Sequence, residues 1–159
     1  MKWYEAAIKY ESEIDGQLES LSDEWQRELV ALERAISDIF NGGYVQFLAN
    51  RGRESYVYAS QALKKIGAHT MAEIIDRCQA LVEEHFPTEG KSPDELTVLM
   101  ANEIRSPKGK VLKKAGSVLP DSVVDLIDDL SSNFIGDPDD YHKLAQSYFG
   151  PLIKTQKRG

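Results

Sequence analysis

Residues 40–50 read FNGGYVQFLAN and stand between two stretches whose apolar residues repeat at helical spacing. Asn41 and the adjacent Gly42 and Gly43 tolerate the left-handed backbone that ends a helix. Aromatic residues stand on both sides of this turn, which favours a packed turn over a mobile one. The stretch therefore predicts two helices that meet at a tight corner of a helical domain.

Helix-start signals recur along the rest of the chain. Capping boxes predict helices that begin at Ser20, Thr70 and Ser92, and the strongest apolar stripe runs from Met71 to Phe86. No stretch alternates with a period of two for long enough to indicate a strand. We therefore expect an all-α fold, a single compact domain of about eight helices over residues 1–159.

Three predictions concern the second half of the chain. Apolar spacing predicts helical segments over residues 96–104 and 111–119, with a loop over 106–110 between them. Gly150-Pro151 is expected to close the last helix, because proline interrupts a helix interior. The remaining residues, 152–159, are then expected to form a frayed tail.

Length and composition are those of a soluble globular domain. The chain has 159 residues, 42% of them hydrophobic and 28% charged, which suits one domain with a sizeable core. No apolar run approaches the roughly 18 residues that a membrane span needs, and residues 1–5 lack the apolar region of a signal peptide. One cysteine, Cys78, excludes an internal disulfide and suits a reducing compartment. We expect a cytoplasmic protein that binds no membrane.

The net charge of −7 is unevenly distributed. Residues 1–40 carry ten acids against four bases, and residues 121–159 carry seven against four, whereas residues 41–120 are not acidic overall. Direct binding of nucleic acid needs a basic surface, so this balance argues against it and permits a basic protein as partner. The one dense basic run is interpreted as a solvated face and comprises Lys108, Lys110, Lys113 and Lys114.

Catalytic and metal-binding patterns are absent from the sequence. Cys78 lies on the apolar stripe of its predicted helix, where a free cysteine is a small core residue. Asp139 and His142 share one helix face, but zinc needs three or four ligands. The glycine pair lacks the lysine and serine or threonine of a phosphate loop, and no hydrolase or metalloprotease signature occurs. We therefore predict a protein that is not an enzyme and that needs no cofactor or metal.

Many acids have a structural explanation, because they fall near predicted helix starts, where carboxylates cap free N–H groups. From Ala115 through Lys143, however, the only base is Lys143 itself, against seven aspartates. The predicted partner-binding residues are these aspartates, Asp121, Asp125, Asp128, Asp129, Asp137, Asp139 and Asp140, followed by a second acidic set, Glu11, Glu13, Asp15 and Glu19.

The glycine corner also resembles a bacterial family of unknown function that includes a DNA-mimic protein. The resemblance covers roughly residues 25–150 and implies an all-helical fold and a homodimer. In the DNA mimic, acidic side chains imitate phosphates and occupy the DNA-binding surface of a transcription factor. The motif itself is interpreted as turn and core. It consists of Asn41, Gly42, Gly43, Tyr44, Gln46, Phe47 and Asn50, with Ile66-Gly67-Ala68 further along.

Three functional hypotheses follow. The leading one is an acidic protein that binds the basic surface of a DNA-binding regulator. The second is an immunity or antitoxin protein that neutralises a basic toxin, and it differs from the first only in the partner. The third is an enzyme or small-ligand domain with a pocket near Asn41–Asn50, to which Asn41, Tyr44, Gln46 and Asn50 contribute polar groups and Arg51 and Arg53 bind an anion.

Overall fold

The structure is a computed structural model that describes residues 1–100, 102–105, 107, 108 and 111–158; residues 102–105, 111–115, 157 and 158 are described by their backbone alone. Within these residues the all-α prediction is confirmed, with a small hairpin added. The eight α-helices are α1 (Trp3–Glu13), α2 (Glu24–Gly42), α3 (Tyr44–Arg51), α4 (Arg53–Ile66), α5 (His69–His85), α6 (Pro93–Leu96), α7 (Asp121–Ile135) and α8 (Tyr141–Arg158).

The hairpin corrects two predictions. Strands β1 (Asn102–Arg105) and β2 (Val111–Ala115) pair antiparallel, with Glu103 opposite Lys114. The helix predicted over 96–104 is correct only as far as Leu99, because α6 ends at Leu96 and a 3₁₀ turn over Thr97–Leu99 precedes β1. The helix predicted over 111–119 is wrong. Each of these segments has only five or six apolar residues, and their spacing fits both the period of a helix and that of a strand. Tertiary contacts decide the structure of such short segments. The predicted loop at 106–110 lies outside the described residues, apart from a turn at Pro107 and Lys108.

Helix α2 forms the centre of the domain and contacts α1, α3, α4 and α7. Its alanines Ala31 and Ala35 are fully buried, as is Ala59 of α4. Small side chains at a helix crossing let two backbones approach closely. Cys78 is confirmed as a core residue, and burial raises the pKa of its thiol to about 12. A thiol in this state is not a nucleophile at neutral pH.

Two of the three predicted helix starts are wrong. Helix α2 begins at Glu24 with Asp23 as its N-cap, while Ser20 ends a short 3₁₀ turn. Helix α5 begins at His69, one residue before Thr70. The cap of α5 is instead Asp139, which lies between α7 and α8 and accepts from the Met71 N–H. The capping box at Ser92 is confirmed, although α6 spans only four residues.

The last helix continues beyond the point where it was expected to end. Helix α8 passes through Pro151 and reaches Arg158, so the expected frayed tail over 152–158 is wrong. Proline costs one backbone hydrogen bond in a helix interior. Phe149 and Ile153 flank it and are buried in the core, and their burial offsets that loss.

Candidate protein-interaction surface

The glycine corner joins α2, α3 and α7. Gly43 has a φ of 89°, which strains any residue with a Cβ, and it lets α3 turn away from α2. The Tyr44 N–H then donates to Ser131 Oγ at 3.0 Å, and Ser131 Oγ donates to the Ile127 carbonyl at 2.8 Å. Since Ser131 and Ile127 belong to α7, the corner holds α7 in place through buried hydrogen bonds.

The side chain of Tyr44 secures the other side of the corner. Tyr44 and Phe47 are buried, and the Tyr44 hydroxyl donates to Gln79 Oε1 of α5. Gln79 Nε2 donates in turn to Glu83 Oε1 at 2.7 Å and to Thr88 Oγ1 at 3.1 Å. Burial raises the pKa of Tyr44 well above its ordinary value. The phenol therefore stays neutral and serves as a structural donor.

Helix α7 presents a row of carboxylates to solvent. Four aspartates are exposed and lie on one side of the helix, since their spacing follows its 3.6-residue period. The first and last of these aspartates are eight positions apart, which is about 12 Å along the helix axis. The four charges are therefore about 4 Å apart along the axis on average. One strand of duplex DNA carries a charge about every 3.4 Å. We call this row the α7 face: Asp121, Asp125, Asp128 and Asp129.

The acids of the α7 face have no ion-pair partner among the described side chains. The sequence has no lysine or arginine from Gly116 through His142. Within the described part of the chain, none of the ion pairs involves an acid of α7. Partial desolvation, with the charges of Asp125 and Asp129, raises the pKa of Asp128. The face thus combines closely spaced negative charges that no described lysine or arginine pairs with.

Three further aspartates follow α7 in the chain, and only one of them has a side chain that is as accessible as those of the α7 face. Asp139 accepts a hydrogen bond of 2.7 Å from the Met71 N–H and so caps α5 across the fold. Asp137 accepts one of 2.9 Å from the Tyr141 N–H at the start of α8. Both side chains are therefore occupied in holding helix ends. Asp140 is exposed and free to contact a partner.

The second acidic set is also divided. Glu11 lies 2.6 Å from the buried Arg34 and 3.4 Å from Arg51. Burial alone would raise the pKa of Glu11, but the hydrogen bond and charge of Arg34 outweigh it, and the pKa is lowered. The other members are exposed. They are Glu13, Asp15 and Glu19.

The segments that carry the two acidic sets contact α2 at different points. Phe40, near the end of α2, packs against Phe134 of α7. The connection after α1 reaches α2 at Arg34, which donates to the Gly16 carbonyl, and at Arg27, which donates to Leu21. These points lie about 9 and 20 Å before Phe40 along the axis of α2.

A family model described as DMP19-like protein matches residues 19–151, which include the glycine corner and α7. The chain belongs to the DMP19-like protein family. No curated protein and no solved structure matches it. The expected membership of a family of unknown function is confirmed at this level.

The residues expected to form a ligand pocket in this DMP19-like chain line several cavities. Asn41 lines a cavity of about 230 Å³ beside α7, and Gln46 lines one of about 220 Å³ next to it. Arg51 and Arg53 line a separate cleft of about 580 Å³. That cleft also contains Glu24, Glu54 and Glu89, so its charges are mixed.

The histidine of the expected Asp139–His142 pair is also engaged elsewhere in the DMP19-like fold. Trp3 Nε1 donates to His142 Nδ1 at 3.2 Å. Within the described residues there is no group of three or more His, Cys, Asp or Glu that could hold a metal. In that same part of the chain, every helix is too short or too polar to cross a bilayer.

Proposed function

We propose that this DMP19-like protein is a non-enzymatic acidic binding protein whose α7 face occupies the basic DNA-binding surface of a regulatory protein. One observation carries the proposal: four exposed carboxylates follow one side of α7, and none of them belongs to an ion pair among the described residues. Acids that serve the fold have internal partners, as Glu11 and Asp139 do. Acids of the α7 face are available to a partner.

The spacing of the α7 face fits part of a DNA duplex. About 4 Å per charge is close to the spacing along one strand, but a duplex carries one charge per about 1.7 Å when both strands are counted. One α7 face therefore imitates one strand. A homodimer that presents two such faces would supply the second row, which is the arrangement we propose for the complete mimic.

Charge governs how such a protein meets its partner. Complementary charge steers association and speeds it. The Debye length falls from about 10 Å at 0.1 M salt to about 3 Å at 1 M, so salt screens the attraction. Binding is therefore fast at low salt and weakens as salt rises.

The experiment is affinity capture with the full chain from a lysate of the native cell. Retained proteins are eluted with rising salt and identified by mass spectrometry. We expect a DNA-binding protein that elutes at moderate salt and is displaced by added duplex DNA. The charge-reversed variant D125K/D128K/D129K should lose it.

A matched control separates a local surface from net charge. The variant E54K/E84K/E89K changes the charge by the same amount at exposed positions outside α7. It should retain the partner. Retention that is unchanged from low to high salt, or equal loss in both variants, contradicts the proposal. Capture of a nuclease toxin instead supports the immunity hypothesis.

A further inference from the structure

A small cavity lies between the end of α2 and the acidic face of α7. Its volume is about 230 Å³, and its lining includes Phe40, Gly42, Asp128, Ser131 and Ile135. Ligand sites for small molecules generally measure about 300–1,000 Å³. The cavity is therefore of a size to accept one side chain of a partner protein.

The end of α2 makes this cavity electronegative. Helix α2 has 19 residues, and none in its last turn is basic. The last carbonyls of a helix have no intrahelical donor and carry the negative end of its dipole. Gly43 N–H donates to the Ile39 carbonyl at 2.9 Å. No described residue donates to the carbonyls of Phe40, Asn41 or Gly42.

Asp128 adds a full negative charge on the opposite wall. It is the member of the α7 face that lines this cavity, and Asp125 and Asp129 lie within one turn of it. Ser131 also lines the cavity, but its hydroxyl already accepts from the Tyr44 N–H and donates to the Ile127 carbonyl. The carboxylate and the helix end therefore favour a cation between them.

Two large apolar residues of the lining are exposed, beside the polar Asn41 and Ser132. Phe40 is 39% exposed and Ile135 is 41% exposed, although both are large hydrophobic residues. Edge-on contacts with Phe134 and Tyr141, at centroid distances of 6.2 and 5.8 Å, fix the ring of Phe40. An aromatic ring that is fixed in place beside a carboxylate favours a cation that is flat and weakly hydrated.

We propose that this cavity is an arginine slot, which receives an arginine side chain from the basic partner of the α7 face. The inference rests on the proposed function and names the residue that the surface recognises. A guanidinium donates through a planar fork to a carboxylate and to carbonyl oxygens, and it stacks on aromatic rings. An ammonium is a compact, strongly hydrated charge and gains less from the apolar walls.

The test is an NMR titration of the full chain with N-acetyl-arginine amide, against N-acetyl-lysine amide at equal ionic strength. We expect saturable shifts of the backbone amides over residues 40–43 and 128–132 with the arginine probe. The lysine probe should bind at least about fivefold more weakly. Asp128→Asn should weaken arginine binding about tenfold, the loss of one hydrogen bond to a charged group.

Asp125→Asn is the matched control, since it removes the same charge from the same helix outside the cavity lining. It should change the dissociation constant less than about twofold. Phe40→Ala should weaken the arginine probe more than the lysine probe. Absent shifts, equal binding of both probes, or equal loss in the Asp125 and Asp128 variants would overturn the arginine slot.

The titration tests the arginine slot, and the capture experiment tests the DNA-mimic proposal. Arginine-selective shifts without a DNA-displaceable partner would leave the slot standing and remove the DNA-mimic proposal. A partner displaced by DNA without arginine-selective shifts would keep the mimic and remove the slot. The two proposals can therefore be distinguished.

Discussion

Glu11 and Asp128 are both carboxylates that lose part of their hydration in the fold, yet their pKa values shift in opposite directions. Glu11 receives two hydrogen bonds from Arg34, each 2.6 Å long, and its pKa is lowered. Asp128 has aspartates as its charged neighbours, and its pKa is raised. Burial favours the neutral acid in both places, so the difference comes from the neighbouring charges.

This difference shows why a count of acids does not locate a binding surface. The two acidic regions look alike in the sequence, and each contains several carboxylates within a short span. In the fold, Glu11 belongs to an internal ion pair, whereas the α7 face has no ion-pair partner among the described residues. Its carboxylates are therefore available to an external cation. Four stability measurements test this division.

The largest effect is expected from Arg34→Met. Arg34 is 3% exposed and holds Glu11 through both of its carboxylate oxygens. Removing the arginine leaves a partly buried carboxylate without its main partner. We expect a loss of about 3 kcal/mol in the free energy of unfolding, measured with urea.

Arg53→Met is the control for that variant. The Arg53 side chain is 44% exposed and lies 3.7 Å from Glu83. Such exposed pairs contribute about 0–1 kcal/mol. Equal losses in the two variants would show that Glu11 and Arg34 are not a special internal pair.

An intermediate effect is expected from Asp139→Ala. Asp139 caps α5 by accepting the Met71 N–H, so its loss should cost about 1 kcal/mol. Asp129→Ala removes the same group from the α7 face and should change stability by less than about 0.5 kcal/mol. Thermal and urea unfolding of the two variants would check this. A larger loss for Asp129 would mean that the face serves the fold.

The smallest effect concerns pH and Asp128→Asn. A raised pKa means that the folded state binds the proton more tightly than the unfolded state, so stability falls as pH rises through the window between the two pKa values. The asparagine variant should therefore be more stable at pH 7, by about 0.2–0.5 kcal/mol for each like-charge pair relieved. The gap should close below the unfolded pKa of aspartate.

Glu11 should show the reverse dependence. Its pKa is lowered, so its contribution is present above the unfolded pKa of glutamate and is lost as pH falls through the folded value. Urea midpoints of Glu11→Gln and the parent chain should converge at low pH. If pH changes the relative stabilities of the Glu11→Gln and Asp128→Asn variants in the same direction, the proposed contrast between the two carboxylates is wrong.

The sequence predicted the features that depend on local chemistry. The corner at Gly42 and Gly43 is visible because a helix end needs a residue that tolerates positive φ. The start of α7 at Asp121 is visible because Pro120 precedes it. The excess of acids in and around α7 along the chain can be read directly, since no lysine or arginine occurs from Gly116 through His142.

Features that depend on distant residues could not be predicted in this way. The cap of α5 comes from Asp139, which is 68 residues away from Met71. Arg34 is 23 residues from Glu11, so nothing in the local pattern marks Glu11 as paired. Helix α8 continues through Pro151 because Phe149 and Ile153 are buried, and that burial exists only after the fold has formed.

Helices α1 and α8 meet in the fold. The Trp3 N–H donates to Gln146 Oε1 at 2.8 Å, a contact between residues 143 positions apart. Because synthesis proceeds from the N-terminus, α1 cannot complete its contacts until α8 has left the ribosome. The apolar side chains of α1 that α8 covers in the fold lack this partner while the segments between the two helices are synthesised. The nascent chain therefore exposes part of its core until α8 packs against α1.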